Sequence, residues 1–401
     1  MTESSTQAAP GDPVVLTTGS VEGVLAAISD GAGPVAAPSD PLLLRSSVPR
    51  QGGRLPVVPV DEDALFSVLE EAYDLGRWRA RRRTDKGTSN MSWFVSTDVG
   101  EVVLRRSHNL KTVAGAEFEA ALIDHLHGHG YPAPPVHRTR DGGILVQVDG
   151  VLHMVMRLMP GSGYDPGDPA HLAVVARGLG RYHALVCELA VPEERSSALA
   201  TLGQVGQENL YAAVEVVAPL LPPEAGARLR ADARSMGEEM ERLHVRLGEQ
   251  QDRLTSLVIH GSYGQSAVLL DEGRLSAVLD FDRAAQDLLG LDLAYALKAF
   301  CREGPIRRSG VGIDPARCRA FVGHYRSQAP LAEADLAAMP DIFRAQRLIK
   351  IVKKCDNLLT KQALVAQQAK DAGKFALVLE RECGRLRWLT DHPFSLTEDR
   401  A

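Results

Sequence analysis

A chain of 401 residues, 45% hydrophobic and 24% charged, can bury a substantial core, and its length suggests two or three domain-sized units. Its net charge of −6 gives no reason to expect nucleic acid as a partner. No apolar run approaches the roughly 18 residues of a membrane span, and the N-terminus lacks a basic-then-apolar leader, so a cytoplasmic protein with no membrane contact is expected.

The five cysteines (Cys187, Cys301, Cys318, Cys355 and Cys383) are scattered and include no CxxC pair, which fits reduced thiols. Residues 1 to about 55 are rich in Gly, Pro, Ala and Ser, and the first aromatic residue is Phe66. So few large apolar groups cannot offset the entropy of ordering, and a disordered tail is expected over 1–55, with a short helix at Val21–Ile28 as the exception.

A helix is expected from Asp61, where Asp61, Glu62 and Asp63 suit a helix start and Leu65, Phe66, Leu69, Ala72 and Tyr73 share a face. Arg77 to Lys86 then holds six cations in ten residues, read as a solvated connection with Trp78 tucked inward, or as a contact for an acidic partner, a leader peptide or a phosphate. Hairpins are predicted at Met91–Arg105, around Asp98-Val99-Gly100, and at Ile144–Leu158, around Asp149-Gly150. Between them, Ala116–Gly128 carries the helical face Phe118, Leu122 and Leu126.

After Arg157-Leu158-Met159-Pro160-Gly161 the pattern turns helical. Asp168-Pro169 opens a helix with Leu172, Val175, Leu179 and Tyr182 on one side, and His183 beside them is read as packing. Leu229, Ala233, Met236, Met240, Leu243 and Leu247 mark a long amphipathic helix. Further helices are predicted at Leu291–Cys301, Pro315–Tyr325, Pro340–Asn357 and Ala372–Trp388.

The chemistry concentrates in Ser256–Leu293. Short apolar runs end in His260-Gly261 and in Asp280-Phe281-Asp282, which reads as strands delivering polar loops to one edge. A carboxylate released after Val278-Leu279 suits a metal that takes one or two carboxylates together with phosphate oxygens. The stretch resembles the catalytic core of the aminoglycoside phosphotransferase and choline kinase-like family, through His260, Gly261, Val268, Leu269, Asp280, Phe281 and Asp292-Leu293-Ala294. Two positions depart from that pattern: Ser262 stands at the family's catalytic Asp and Ala267 at its metal-binding Asn.

The resemblance implies an α+β, bilobal protein kinase-like fold, with a small antiparallel-sheet lobe over 56–160 and a larger, mainly helical lobe over 161–395. It implies ATP and Mg²⁺ as cofactors, with Asp280 on the metal and Arg105 at the nucleotide phosphates beside its helix partner Glu119. It further implies a phosphate-covering turn at Gly87-Thr88-Ser89-Asn90, Met159 flanking the adenine ring, and Ser262 as an impaired catalytic residue. Asp341, Arg344, Arg347 and Lys350 are candidates for acceptor contacts, with a solvated helix face as the plainer reading. Because a neutral hydroxyl is a poor base, the leading expectation is a pseudokinase that binds a nucleotide or a partner without efficient phosphoryl transfer. The alternative is an active ATP-dependent O-phosphotransferase acting on a small metabolite or a peptide Ser/Thr hydroxyl, with Asp282 or the substrate itself replacing the missing base.

Overall fold

The computed structural model describes residues 61–84, 90–107, 111–189, 198–302, 312–360, 369–391 and 396. The expected tail over 1–55, its short helix Val21–Ile28, and Ser89 of the phosphate-covering turn lie outside the described residues. Two compact units divide the chain: the described part of Pro59–Gly161 with Ser276–Asp282, and the described part of Ser162–Leu275 with Arg283–Ala401.

In the first unit, helix α1 (Glu62–Ala72) starts where the Asp61 carboxylate accepts from the backbone N–H groups of Asp63 and Ala64, at 3.1 Å each. A five-stranded antiparallel sheet follows, in the order β1-β2-β3-β5-β4. Its strands are β1 (Trp78–Arg83), β2 (Met91–Thr97), β3 (Gly100–Arg106), β4 (Val146–Val148) and β5 (Val151–Arg157), and helix α2 (Val113–Gly128) is inserted after β3. The β4–β5 turn needs left-handed backbone at both central residues, and Asp149 and Gly150 supply it with φ of 50° and 75°. The core joins Leu65, Phe66 and Leu69 of α1 to Trp93, Val95, Val102, Leu104, Val146 and Val155 of the sheet.

The basic segment is not a connection as expected. Residues 78–83 form the edge strand β1, paired to β2 along its length. Trp78 is half-buried, edge-on to Phe66 at 5.6 Å, while the arginines stay exposed. Arg81 lies over the Phe66 ring at 4.4 Å and Arg82 over Phe94 at 4.7 Å. Backbone pairing to β2 and these cation–π contacts outweigh the low strand propensity of the charges, and the charges in turn discourage edge-to-edge association.

The second unit begins with the two-residue strand β6 (Ser162–Gly163) and is mainly helical. In chain order come α3 (Pro169–Val186), α4 (Ala198–Leu202), α5 (Gln204–Val217) and α6 (Pro223–Gly248). The strands β7 (Ser256–Ile259), β8 (Val268–Asp271) and β10 (Ala285–Leu288) follow, with β9 (Arg274–Val278) beginning in this unit and its residues from Ser276 on belonging to the first, then α7 (Leu289–Phe300), α8 (Pro315–Arg326), α9 (Glu333–Thr360) and α10 (Ala369–Asp391). All six predicted core positions of α6 are buried. Among the described residues no helix is long and apolar enough to cross a membrane.

Two expectations for α9 need correction. The helix starts at Glu333, not Pro340, which sits inside it. Burial of Leu336 and Met339, and the Asp335 carboxylate accepting from Thr255 N–H at 2.9 Å and Thr255 Oγ at 2.7 Å, stabilise the turn that a proline alone would end. Nor are Asp341, Arg344 and Arg347 on a solvated face. Asp341 is buried between Arg344 and Arg246, Arg344 also approaches Glu239, and Arg347 is 3.3 Å from Glu382.

His153 on β5 is 1% exposed, and burial with Arg106 beside it pushes its imidazole down to about 4. The folded unit holds this ring neutral, whereas the unfolded chain takes up the proton below about 6.5. Stability is therefore complete above that pH and is lost as pH falls from about 6.5 towards 4, by about 3 kcal/mol in full. Urea unfolding from neutral pH to that limit will show the slope in wild type and a flatter profile in His153→Leu.

Candidate active site

In the first unit the candidate site is built on a buried acid. Alternation along β3 sends Arg105 to the face opposite Val102 and Leu104. Its Nη2 lies 2.7 Å from Glu119 Oε1 of α2, and Lys111 Nζ donates to Glu119 Oε2 at 2.8 Å. Glu119 is 1% exposed; burial raises its carboxyl, but Arg105 and Lys111 outweigh that and hold it below the usual carboxylate range. Burial likewise works against the Arg105 charge, and Glu119, followed by Asp282 and Asp280, more than offsets it. Lys111 escaped the sequence reading. Its only signal was a position directly before Thr112, the residue that caps α2.

Asp280 and Asp282 follow β9, whose Val278 N–H donates to the Pro132 carbonyl at 2.8 Å. Asp280 is exposed with φ of 72°, a left-handed backbone that a non-glycine residue adopts at a cost and that clusters at functional sites. Asn90 Nδ2 donates to Asp282 Oδ2 at 3.1 Å, tying the segment to the start of β2. Among the described residues no three His, Cys, Asp or Glu side chains converge as a self-sufficient metal cage. Two carboxylates beside a buried arginine instead match Mg²⁺, which is held by one or two carboxylates and completes its shell with phosphate oxygens and water.

Met159 lies half-buried on the extended stretch after β5. That stretch is tied on both sides, by Leu158 N–H donating to Glu101 O at 3.4 Å and Ser276 Oγ donating to Pro160 O at 2.8 Å.

In the second unit, β7 runs into the loop of His260, Gly261 and Ser262, and this loop is anchored on Asp292 in the first turn of α7. The N–H groups of His260 and Gly261 donate to Asp292 Oδ2 and Oδ1 at 2.7 and 2.9 Å. His183 Nε2 approaches Oδ2 at 3.2 Å, and His183 Nδ1 is 2.7 Å from the Tyr325 hydroxyl. Asp292 is wholly buried; burial raises its carboxyl, and the bond to His183, the His183 and His260 charges and the backbone donors together bring it below the usual value. His183 is thus part of a polar network, beyond the packing role read from its helical position.

Gly261 has φ of 75°, and a Cβ there would stand 2.7 Å from the Arg283 carbonyl, so the loop requires glycine. Ser262 is half-buried, with both Oγ and N–H 3.3 Å from His260 Nδ1. Ala267 is 2% exposed, and its N–H donates to Gly264 O at 2.9 Å. The loop therefore keeps its anchorage while presenting a hydroxyl.

Residues 81–328 match the model of the phosphotransferase enzyme family. The homoserine kinase of Methylobacillus flagellatus is 27% identical over 77% of this chain and 90% of its own length. That of Pseudomonas aeruginosa is 27% identical over 71% of this chain and 83% of its own. Among solved structures, amicoumacin kinase hAmiN in complex with AMP-PNP, Ca²⁺ and Ami aligns with a TM-score of 0.58 over 84% of this chain and 96% of that one, at 14% identity, a likeness of fold.

These relatives overturn the expectation of a pseudokinase, since proteins named as kinases align with the chain over most of their own length. The physical weakness of that expectation is that it rested on two side chains, while the loop anchorage around Asp292 and the ion cluster around Glu119 are intact.

Asp292→Ala should cost about 3–5 kcal/mol, because it leaves two buried N–H groups and His183 without their acceptor. A double-mutant cycle with His183→Ala, followed by denaturant unfolding, will show strong coupling between the two sites; additive losses would mean that the pair does not act as one network.

Proposed function

The chain belongs to the phosphotransferase enzyme family, and on that premise we propose that it transfers the γ-phosphoryl group of ATP to the hydroxyl of a small, amine-bearing metabolite. The observation that carries this reading is Arg105, charged although buried, held by Glu119 and under the pull of Asp280 and Asp282 in the same unit. A fixed cation beside two carboxylates suits a nucleotide phosphate and its metal. The homoserine kinase relatives support an acceptor with a primary hydroxyl and an amine.

In this reading Asp280 and Asp282 would hold Mg²⁺, which neutralises phosphate charge when bound. Arg105 orients the phosphates, and Met159 flanks the adenine. Ser262, steadied by His260, offers a hydrogen bond that orients the acceptor hydroxyl. The acceptor oxygen forms its bond to the γ-phosphorus as the bond to the β,γ-bridging oxygen breaks, and ADP leaves. The acceptor proton passes to an oxygen of the transferred phosphoryl group.

Magnitudes decide whether Ser262 is tolerable. General-base assistance contributes about 10²–10⁴ in rate, or about 3–5 kcal/mol, out of the 8–23 kcal/mol or so that enzymes typically supply. In phosphoryl transfer most of the remainder comes from positioning and electrostatics. A serine in place of the acid therefore slows the reaction without removing it.

With Mg·ATP and L-homoserine, wild type should release ADP and form a phosphorylated product visible by mass spectrometry, and Asp280→Ala should abolish both. Ser262→Asp should raise kcat by about 10²-fold or more. No phosphorylated product from either wild type or Ser262→Asp, across small amino alcohols and hydroxy amino acids, would sink the proposal.

A further inference from the structure

The arginine-rich strand β1 takes no part in the chemistry proposed above, and it forms an outer edge of the five-stranded sheet. Its pairing to β2 is regular from Ala80 to Arg83, and the Thr84 N–H donates to the Ser92 carbonyl at 2.9 Å. Backbone direction alternates along an antiparallel pair, so Ala80 and Arg82 turn their N–H and C=O groups to β2 as Thr84 does, and Arg81 and Arg83 turn theirs outward. Among the described residues no hydrogen bond reaches those outward groups.

The side chains leave this edge open. Arg81 is held over the Phe66 ring on one face of the sheet and Arg82 over the Phe94 ring on the other, so neither guanidinium lies across the edge. Their charges are not equally satisfied. Arg79 has Asp98, and Arg81 has Glu62 and Asp63, whereas among the described residues neither Arg82 nor Arg83 has an acid within ion-pair distance. Towards the start of the strand a groove of about 330 Å³ lies between β1 and α1, with Phe66 and Ser67 of the helix and Trp78 and Ala80 of the strand in its lining.

These features converge on one kind of ligand. Donors and acceptors alternating along an extended edge match another peptide backbone, whereas a phosphodiester offers acceptors alone and would leave the carbonyls unmatched. Arginines without acids on both faces select acidic side chains, and they repel a second copy of the same strand.

We propose that the outer edge of β1 receives an extended acidic segment of a partner protein as an added strand, with acids meeting Arg82 and Arg83 on opposite faces of the sheet and an apolar side chain entering the groove beside α1. The surface lies wholly in the first unit and is independent of whether the chain phosphorylates anything.

The test is fluorescence anisotropy, titrating the full chain into a labelled heptapeptide, Glu-Glu-Val-Thr-Val-Glu-Glu, whose ends are blocked and whose symmetry offers paired acids in either orientation. A second peptide, Glu-Glu-Pro-Gly-Pro-Glu-Glu, carries the same charge and cannot pair as a strand. The expected result is saturable binding of the first and binding of the second weaker by about tenfold or more. Arg82→Glu combined with Arg83→Glu should abolish binding of the acidic peptide and confer binding of its lysine counterpart. Arg83→Pro removes an outward N–H while sparing the bonds to β2, so it should weaken binding more than Arg83→Ala, which removes only the charge. If Arg83→Pro fails to fold, the charge reversal still decides. No binding at about 1 mM protein, equal binding of the two acidic peptides, or binding untouched by the charge reversal would overturn the proposal. Equally tight binding of a single-stranded oligonucleotide of the same charge would overturn it in favour of a site for polyanions, and a dimer in sedimentation that the charge reversal dissociates would assign the edge to a second copy.

Discussion

Burying a carboxylate costs several kcal/mol unless donors surround it, and Asp292 meets that demand by taking its donors from the loop after β7 and from α3. Two come from the backbone of His260 and Gly261, and the third is His183 on α3, itself tied to Tyr325 on α8. The conformation of the loop is thus the condition under which the buried charge is tolerated. Any rearrangement that releases the loop strands the charge, so Ser262 inherits a fixed position although its own side chain does little to hold it.

Glu119 follows the same logic in the first unit. Its two oxygens are divided between Arg105 and Lys111, so a group that would be intolerable alone becomes the means of keeping a guanidinium charged inside the protein. Arg105 then acts as a preformed counter-charge whose reorganisation was completed on folding. Preorganised charge of this kind is what phosphoryl transfer in general depends on most.

Much of this protein follows from local patterning. Asp61 and Asp168 were readable as helix caps, Asp149-Gly150 as a tight turn, and the α6 stripe as core, because each depends on neighbours within a few residues. The resemblance carried by His260, Gly261, Asp280, Phe281 and Asp292 pointed to a phosphotransferase core. Other features were beyond local reading. The strand at Trp78–Arg83 depends on pairing with β2, and the helix running through Pro340 depends on Asp335 reaching Thr255, 80 residues away in sequence. His183 meets Asp292 across 109 residues, and Lys298 meets Gln346 across 48. The sequence alone determined the helices, turns and motif spacing, whose energies are local. Only the tertiary structure decided which partners satisfy the buried charges, because Coulomb energy and desolvation depend on distances in space that sequence separation does not encode.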